Sequence, residues 1–147
     1  MEKRIVQFIQ KQTCATICCV DEQGKPWCFS CYYAFNPEEG LLYFKSSPGS
    51  HHATVIKRNP LIAGTILPDT LSKLQVKGVQ FEGIVPEDSH LLLKEASGFY
   101  HNKYPIALAM PGEIFVIRID RIKMTDSTLG FGKKISWNRL TEQLILN

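Results

Sequence analysis

No apolar run in the chain approaches the roughly 20 residues that a membrane-spanning helix requires, and there is no internal repeat or low-complexity tract. A strong charge of either sign is also missing: 17 Lys+Arg stand against 14 Asp+Glu, a formal net charge of +3 over 147 residues. The basic residues are scattered or paired, as in Lys57-Arg58 and Lys133-Lys134, and form no dense basic stripe. That argues against a nucleic-acid binder. HExxH, the GxxxxGK[ST] phosphate loop, a Ser-His-Asp order and a second CxxC are absent as well. These gaps weigh against a zinc protease, a P-loop nucleotidase, a triad hydrolase and a zinc ribbon. No secretory pattern precedes the five cysteines, an odd number, so the expected compartment is a reducing cytoplasm with free thiols. Neither nucleic acid nor membrane is an expected partner.

What is present fits a folded domain. Hydrophobic residues make up 44% and charged residues 21%, and a chain of this length buries about 70% of its unfolded surface. One domain over 1–147 is expected, with an N-terminal helix within 1–12 and a tail over 125–147. Ile5, Phe8 and Ile9 recur at helical spacing in residues 2 to 12. Thr13 to Val20, Trp27 to Phe35 and Leu41 to Lys45 read as strands, separated by the turns Asp21 to Pro26 and Asn36 to Gly40. Short turns make this an antiparallel meander, because parallel neighbours need a dozen or more connecting residues. Ser50 then caps a helix over His51 to Arg58, which Asn59-Pro60 ends. Further strands are expected at Leu61 to Leu67, Leu74 to Val85 with a bulge at Gly78, and Glu113 to Met124. A helix runs from Ser89 or His90 to Tyr100, and Pro105 to Gly112 is loop. Six strands with short helices at the breaks predict a mainly β fold, a small antiparallel barrel.

Four groups of residues invite chemistry. Ser46-Ser47-Pro48-Gly49-Ser50-His51-His52 leads into a helix N-terminus, where unpaired N–H groups and hydroxyls suit a phosphate or carboxylate. The plainer reading is a Ser-capped surface helix. Cys28-Phe29-Ser30-Cys31 has CxxC spacing, but on a strand its thiols face opposite sides, so core cysteines are the expectation. Adjacent His51 and His52 diverge by about 100° on a helix and make a poor metal pair. His90 and His101 are expected in solvent. Gly130-Phe131-Gly132-Lys133-Lys134, followed by Trp137, is either a simple turn or a basic segment that closes over an anion.

These residues also carry a family resemblance. Leu42-Tyr43-Phe44-Lys45-Ser46-Ser47-Pro48-Gly49-Ser50-His51-His52-Ala53, with Arg58-Asn59-Pro60, resembles the FMN-binding split-barrel superfamily typified by pyridoxamine 5′-phosphate oxidase. Gly78-Val79-Gln80-Phe81-Glu82-Gly83, Tyr104-Pro105 and the run from Thr125 to Lys134 are similar to its YhbP-like branch. The resemblance spans about Cys14 to Trp137. It implies a six-stranded antiparallel Greek-key split barrel, a homodimer with flavin sites at the interface, and FMN as cofactor. The cofactor contacts it implies are Lys45, Ser46, Ser47, Ser50, His51, His52, Tyr33, Gln80, Lys133, Lys134 and Trp137, with no metal. Ser50, His51 and His52 fall where relatives carry Ser-Arg-Lys. Cys28 and Tyr33 stand where the oxidase has an arginine and a lysine, and Gly78 where it has a glutamine. Those departures argue against pyridoxamine 5′-phosphate oxidase activity itself. They leave two readings open: a flavoprotein acting on a small molecule, and a non-catalytic barrel that binds flavin, haem or another ligand.

Overall fold

The computed structural model describes residues 1–87, 93–129 and 134–141. Helix α1 (Lys3–Lys11) precedes a meander of β1 (Cys14–Val20), β2 (Pro26–Asn36) and β3 (Leu41–Ser46). Helix α2 (His51–Arg58) carries the chain across to β4 (Leu61–Ile66), which pairs with the free edge of β1. Strand β5 (Lys77–Ile84) follows, then α3 (Leu93–Lys103), a 3-10 helix over Pro105–Ala109, β6 (Glu113–Asp126) and β7 (Lys134–Asn138). The strand order is β3-β2-β1-β4-β5-β6, and β6 pairs back onto β3, so six antiparallel strands close a barrel.

Strand β6 closes the barrel because it is 14 residues long. Its Glu113 to Arg118 half pairs with β3, and Arg118 to Asp126 pairs with β5. The edge left free beyond β3 is taken by β7, from Arg121↔Asn138 to Thr125↔Lys134. The expected tail thus contains a seventh strand, Lys134-Ile135-Ser136-Trp137-Asn138, which alternates polar and apolar residues over only five positions. Arg139 secures the junction of β3 and β7. Its guanidinium donates to the carbonyls of Ile119, Glu39 and Gly40 at 2.8, 2.9 and 2.9 Å.

Two further differences concern β5. The strand begins at Lys77, not Leu74, because Ser72 and Gln75 bridge in a tight turn. The register shift lies between Glu82 and Gly83 rather than at Gly78. A Cβ at Gly83 would stand 2.1 Å from the Arg118 carbonyl oxygen, so only glycine permits the two strands to approach there.

Inward-facing Ile17, Leu42, Phe44, Ile62, Val79, Phe81, Ile117, Ile119 and Ile122 fill the barrel. Ile5, Phe8 and Ile9 of α1 join this core, as their helical spacing predicted. Burial of each such side chain contributes about 1.5–3 kcal/mol. A second cluster lies outside the barrel, where Ala96 and Tyr100 of α3 and Ala107 cover Ala34, Leu41, Tyr43 and Val116. Burial along β2 therefore changes from alternating to continuous at Tyr33–Asn36, where both faces become covered. The uncovered half of the sheet's outer face carries Cys28, Ser30 and Tyr32.

Candidate functional site

A cavity of about 490 Å³ opens where β2, the end of β3, the start of α2 and the 3-10 segment meet. Its wall combines polar Ser46, His52 and Lys45 with Tyr32, Tyr100, Tyr104, Ile106 and Met110. The Leu41-Leu42-Tyr43-Phe44 run anchors β3 through both faces and delivers Lys45 and Ser46 to the rim. Ser50 caps α2 as its sequence predicts, its hydroxyl accepting from the Ala53 amide at 3.3 Å. The first-turn amides of His51 and His52 have no carbonyl acceptor within the helix and lie at its positive end.

His52 ties this corner together. Its ring stacks on Phe29 with centroids 3.8 Å apart and planes 11° from parallel. Its Nε2 lies 2.6 Å from the Ser46 hydroxyl and 3.0 Å from that of Ser50. Burial, and secondarily the charge of His51, lowers the His52 pKa below its ordinary 6.5. The neutral ring then accepts from a serine hydroxyl. His51 instead is exposed and meets Trp27 edge-on at 4.9 Å, on the outer side of the helix start.

Lys45 has a different task from a free anion contact. Its Nζ donates to the carbonyls of Ala107 and Met110 at 2.7 and 2.8 Å, and His101 Nε2 lies 3.5 Å away. It pins the 3-10 segment along the cavity. His101 Nδ1 lies 2.9 Å from the Ser97 carbonyl, which makes it the donor there and leaves Nε2 to accept from the ammonium. His101 is therefore half-buried and bonded, contrary to the expected solvent position, because the Pro105–Ala109 segment folds back beside α3. His90 lies outside the described residues.

The structure thus brings Lys45, Ser46, Ser50 and His52 together, with Ser47 exposed beside them. Other expected contacts fall elsewhere. Tyr33 is fully buried on the inner face of β2 and donates to the Ile9 carbonyl, where burial holds its hydroxyl far above the usual phenol range. Gln80 faces outward on β5, beside Lys123 of β6. Lys134 opens β7 opposite Thr125, and Trp137 packs against the core beside Gly40. Lys133 lies outside the described residues. The basic run therefore starts an edge strand at Lys134, because β6 outruns β3 and offers an edge to fill.

The CxxC thiols part as strand geometry requires, but not both into a core. Cys28 is exposed, while Cys31 reaches the cavity wall, where burial raises its thiol to about 12. That group stays protonated and is no nucleophile at neutral pH. All five cysteines are free, and no cluster of metal-ligating side chains occurs among the described residues. Sequence reasoning missed Phe29, Tyr32, Tyr100, Tyr104 and the 106–111 segment as cavity wall. The aromatic density of Phe99-Tyr100-His101-Asn102-Lys103-Tyr104 was the available signal.

The pyridoxamine 5′-phosphate oxidase family pattern matches residues 1–104, which include α1 to β5 and most of the cavity. The chain belongs to that family. Within it, the chain falls in the YhbP-like branch. A UPF0306 protein of Photorhabdus laumondii is 35% identical over 135 residues, covering 92% of this chain and 94% of its own length. UPF0306 protein YhbP of an Escherichia coli strain is 33% identical over 139 residues, covering 92% and 96%. Among solved structures, a haem-binding protein of Mycobacterium smegmatis superposes with a TM-score of 0.72 at 17% identity. It covers 89% of this chain, which spans about half (55%) of that protein. An FAD-binding protein of Mesorhizobium loti gives 0.64 at 19% identity, covering 86% of this chain and 95% of its own. The likeness to these two structures is of fold. No helix among the described residues is long and apolar enough to cross a membrane. This member of the pyridoxamine 5′-phosphate oxidase family carries Ser46, Ser47 and Ser50 at the helix-start corner, with His51 and His52 beside them.

Proposed function

We propose that this protein binds FMN in the cavity between β2, β3 and α2, as a homodimer acting in a reducing cytoplasm. The observation that carries the reading is the make-up of the cavity wall. Ser46, Ser50, His52 and the open amides of α2 form a hydrogen-bonding corner suited to a phosphate. Tyr32, Tyr100 and Tyr104, whose rings meet one another, and Met110 supply apolar and aromatic wall suited to a flat ring. The donor chemistry fits the group. When bound, a flavin supplies hydride and electron transfer, while the protein supplies binding and orientation. Ser46 and Ser50 would hold the phosphate, and His52 would orient their hydroxyls. Lys45 would fix the 3-10 wall against the ring. A small-molecule oxidoreductase is the activity this supports, with pyridoxamine 5′-phosphate oxidase activity not expected. Exposed Ile106 and Met110 line the cavity, exposed Leu108 lies on the same segment, and together they support its being covered by a second copy.

Flavin absorbance in the purified protein, or tight uptake of added FMN, tests the reading; a colourless protein that takes up neither FMN nor FAD refutes it. Anaerobic bleaching by NADH or NADPH then separates an oxidoreductase from a passive carrier. One observation favours a second reading. The fold neighbour from M. smegmatis is a haem-binding protein, and here His52 lines the cavity while His101 bonds Lys45 at its edge. A Soret band on haem addition, competed by FMN, would favour that reading.

A further inference from the structure

Two cysteines face one another on the uncovered outer face of β1 and β2. Cys18 and Cys28 are register partners. The backbone bonds at the two ends of this ladder define the type of pair. Tyr33 N–H donates to Thr13 O at 3.3 Å, and Asp21 N–H donates to Lys25 O at 3.0 Å. Hydrogen-bonded pairs therefore fall on the odd-numbered residues of β1, and Cys18↔Cys28 lies between two of them. Pro26, which has no N–H, occupies another such gap opposite Val20. In a non-hydrogen-bonded pair the facing Cα atoms stand about 4.5 Å apart. A disulfide accepts about 4.4–6.8 Å between Cα atoms.

The remaining thiols are excluded by position. Cys14 shares the outer face but lies four residues along the same strand, about 13 Å away. Cys19 is buried within the barrel, and Cys31 points to the cavity side. Burial raises the Cys18 thiol above its ordinary value, and the Cys28 thiol beside it adds to the rise.

We propose that Cys18 and Cys28 are a dithiol site that closes to a cross-strand disulfide on meeting a low-molecular-weight disulfide such as oxidised glutathione. Exposed Cys28, as thiolate, attacks one sulfur of glutathione disulfide, forming a mixed disulfide and expelling one glutathione thiolate. Cys18 then loses its proton to solvent and attacks the Cys28 sulfur. The Cys18–Cys28 bond forms and the second glutathione leaves. Two protein thiols are oxidised and one glutathione disulfide is reduced to two thiols. The link sits one residue before Phe29, whose ring stacks on His52 at the cavity wall. The raised Cys18 thiol makes the second step faster as pH rises.

The test treats the native full-length protein with oxidised glutathione, blocks remaining thiols, and maps peptides. Glutamyl endopeptidase serves for the mapping, because cleavage after Glu22 separates Cys18 from Cys28 and trypsin does not cut readily at Lys25-Pro26. The expected result is loss of two hydrogens in mass, a Cys18–Cys28 peptide pair, and reversal by dithiothreitol. Cys18→Ser should leave Cys28 as a persistent glutathione adduct with no internal link. Five thiols left free in the native protein would overturn the proposal, as would adducts without the link or a disulfide joining any other pair.

Discussion

At the scale of single residues, His52 sets how this corner responds to pH. Burial depresses its pKa, so the unfolded chain takes up a proton before the folded one does. Stability therefore falls as pH drops through the ordinary imidazole value near 6.5 and below. A bound phosphate has the opposite effect, since its charge favours the imidazolium. Protonated Nε2 then donates to a serine oxygen, and the Ser46 and Ser50 hydroxyl hydrogens turn toward the anion. We expect the affinity for FMN relative to riboflavin, which lacks the phosphate, to rise as pH falls from about 8 to about 6.5. His52→Gln should flatten that dependence. Parallel fluorescence titrations of both flavins measure it, and an FMN-to-riboflavin ratio equally pH-dependent in the variant would contradict the role. The sequence displayed Ser46, Ser50 and His52 plainly, because they are adjacent along the chain and sit beside a cap signal. It did not separate His52 from His51. That depends on which of two divergent helical directions faces Phe29 rather than Trp27.

At the scale of elements, the strands were legible wherever one face stayed in water. The alternation of β1 and the helical spacing of α1 are local consequences of burial on one side. Strand β3 reads as a continuous apolar run, because Leu42 and Phe44 point into the barrel while Leu41 and Tyr43 lie under α3. The position of the bulge is not legible in the sequence for a related reason. Gly78 and Gly83 both break the pattern of β5, and only the approach of Arg118 shows which one the pairing needs. Gly83→Ala should cost about 2 kcal/mol or more, since the methyl meets a backbone oxygen that cannot swing away. Gly98→Ala, with nothing within 4 Å of the added carbon, should be neutral or stabilising because alanine is the better helix former. Urea midpoints of the two variants against the parent protein check both. Equal losses at the two positions would refute the assignment of the close approach.

At the scale of the whole molecule, closure of β6 onto β3 leaves one half of the outer sheet face under α3 and the other half open. Apolar Ile106, Leu108 and Met110 are 80, 71 and 59% exposed beside the cavity. Tyr32, 63% exposed, stands on the open strand face at the same cavity. A second copy across this rim would shelter both the apolar groups and a bound ring. Ile106→Asp with Met110→Asp should therefore give a monomer in analytical ultracentrifugation with an unchanged far-UV spectrum and weakened flavin uptake. A wild-type protein already monomeric at micromolar concentration would remove the dimer from the proposal. Flavin uptake could then still be measured by itself.

The sequence alone determined that six strands with short helices form an antiparallel barrel, and that Ser50 opens a helix with hydroxyls and histidines beside it. Those features depend on alternation, capping and turn residues, all read within a few positions. The tertiary structure alone decided what meets that helix start. Burial turned Tyr33 inward to Ile9, and the length of β6 drew Lys134 and Trp137 to its spare edge. Fold-back of the 3-10 segment took the Lys45 ammonium for its own carbonyls. The Tyr33 and Lys45 contacts join residues 24 to 65 positions apart, where local pattern carries no information and packing chooses the partner.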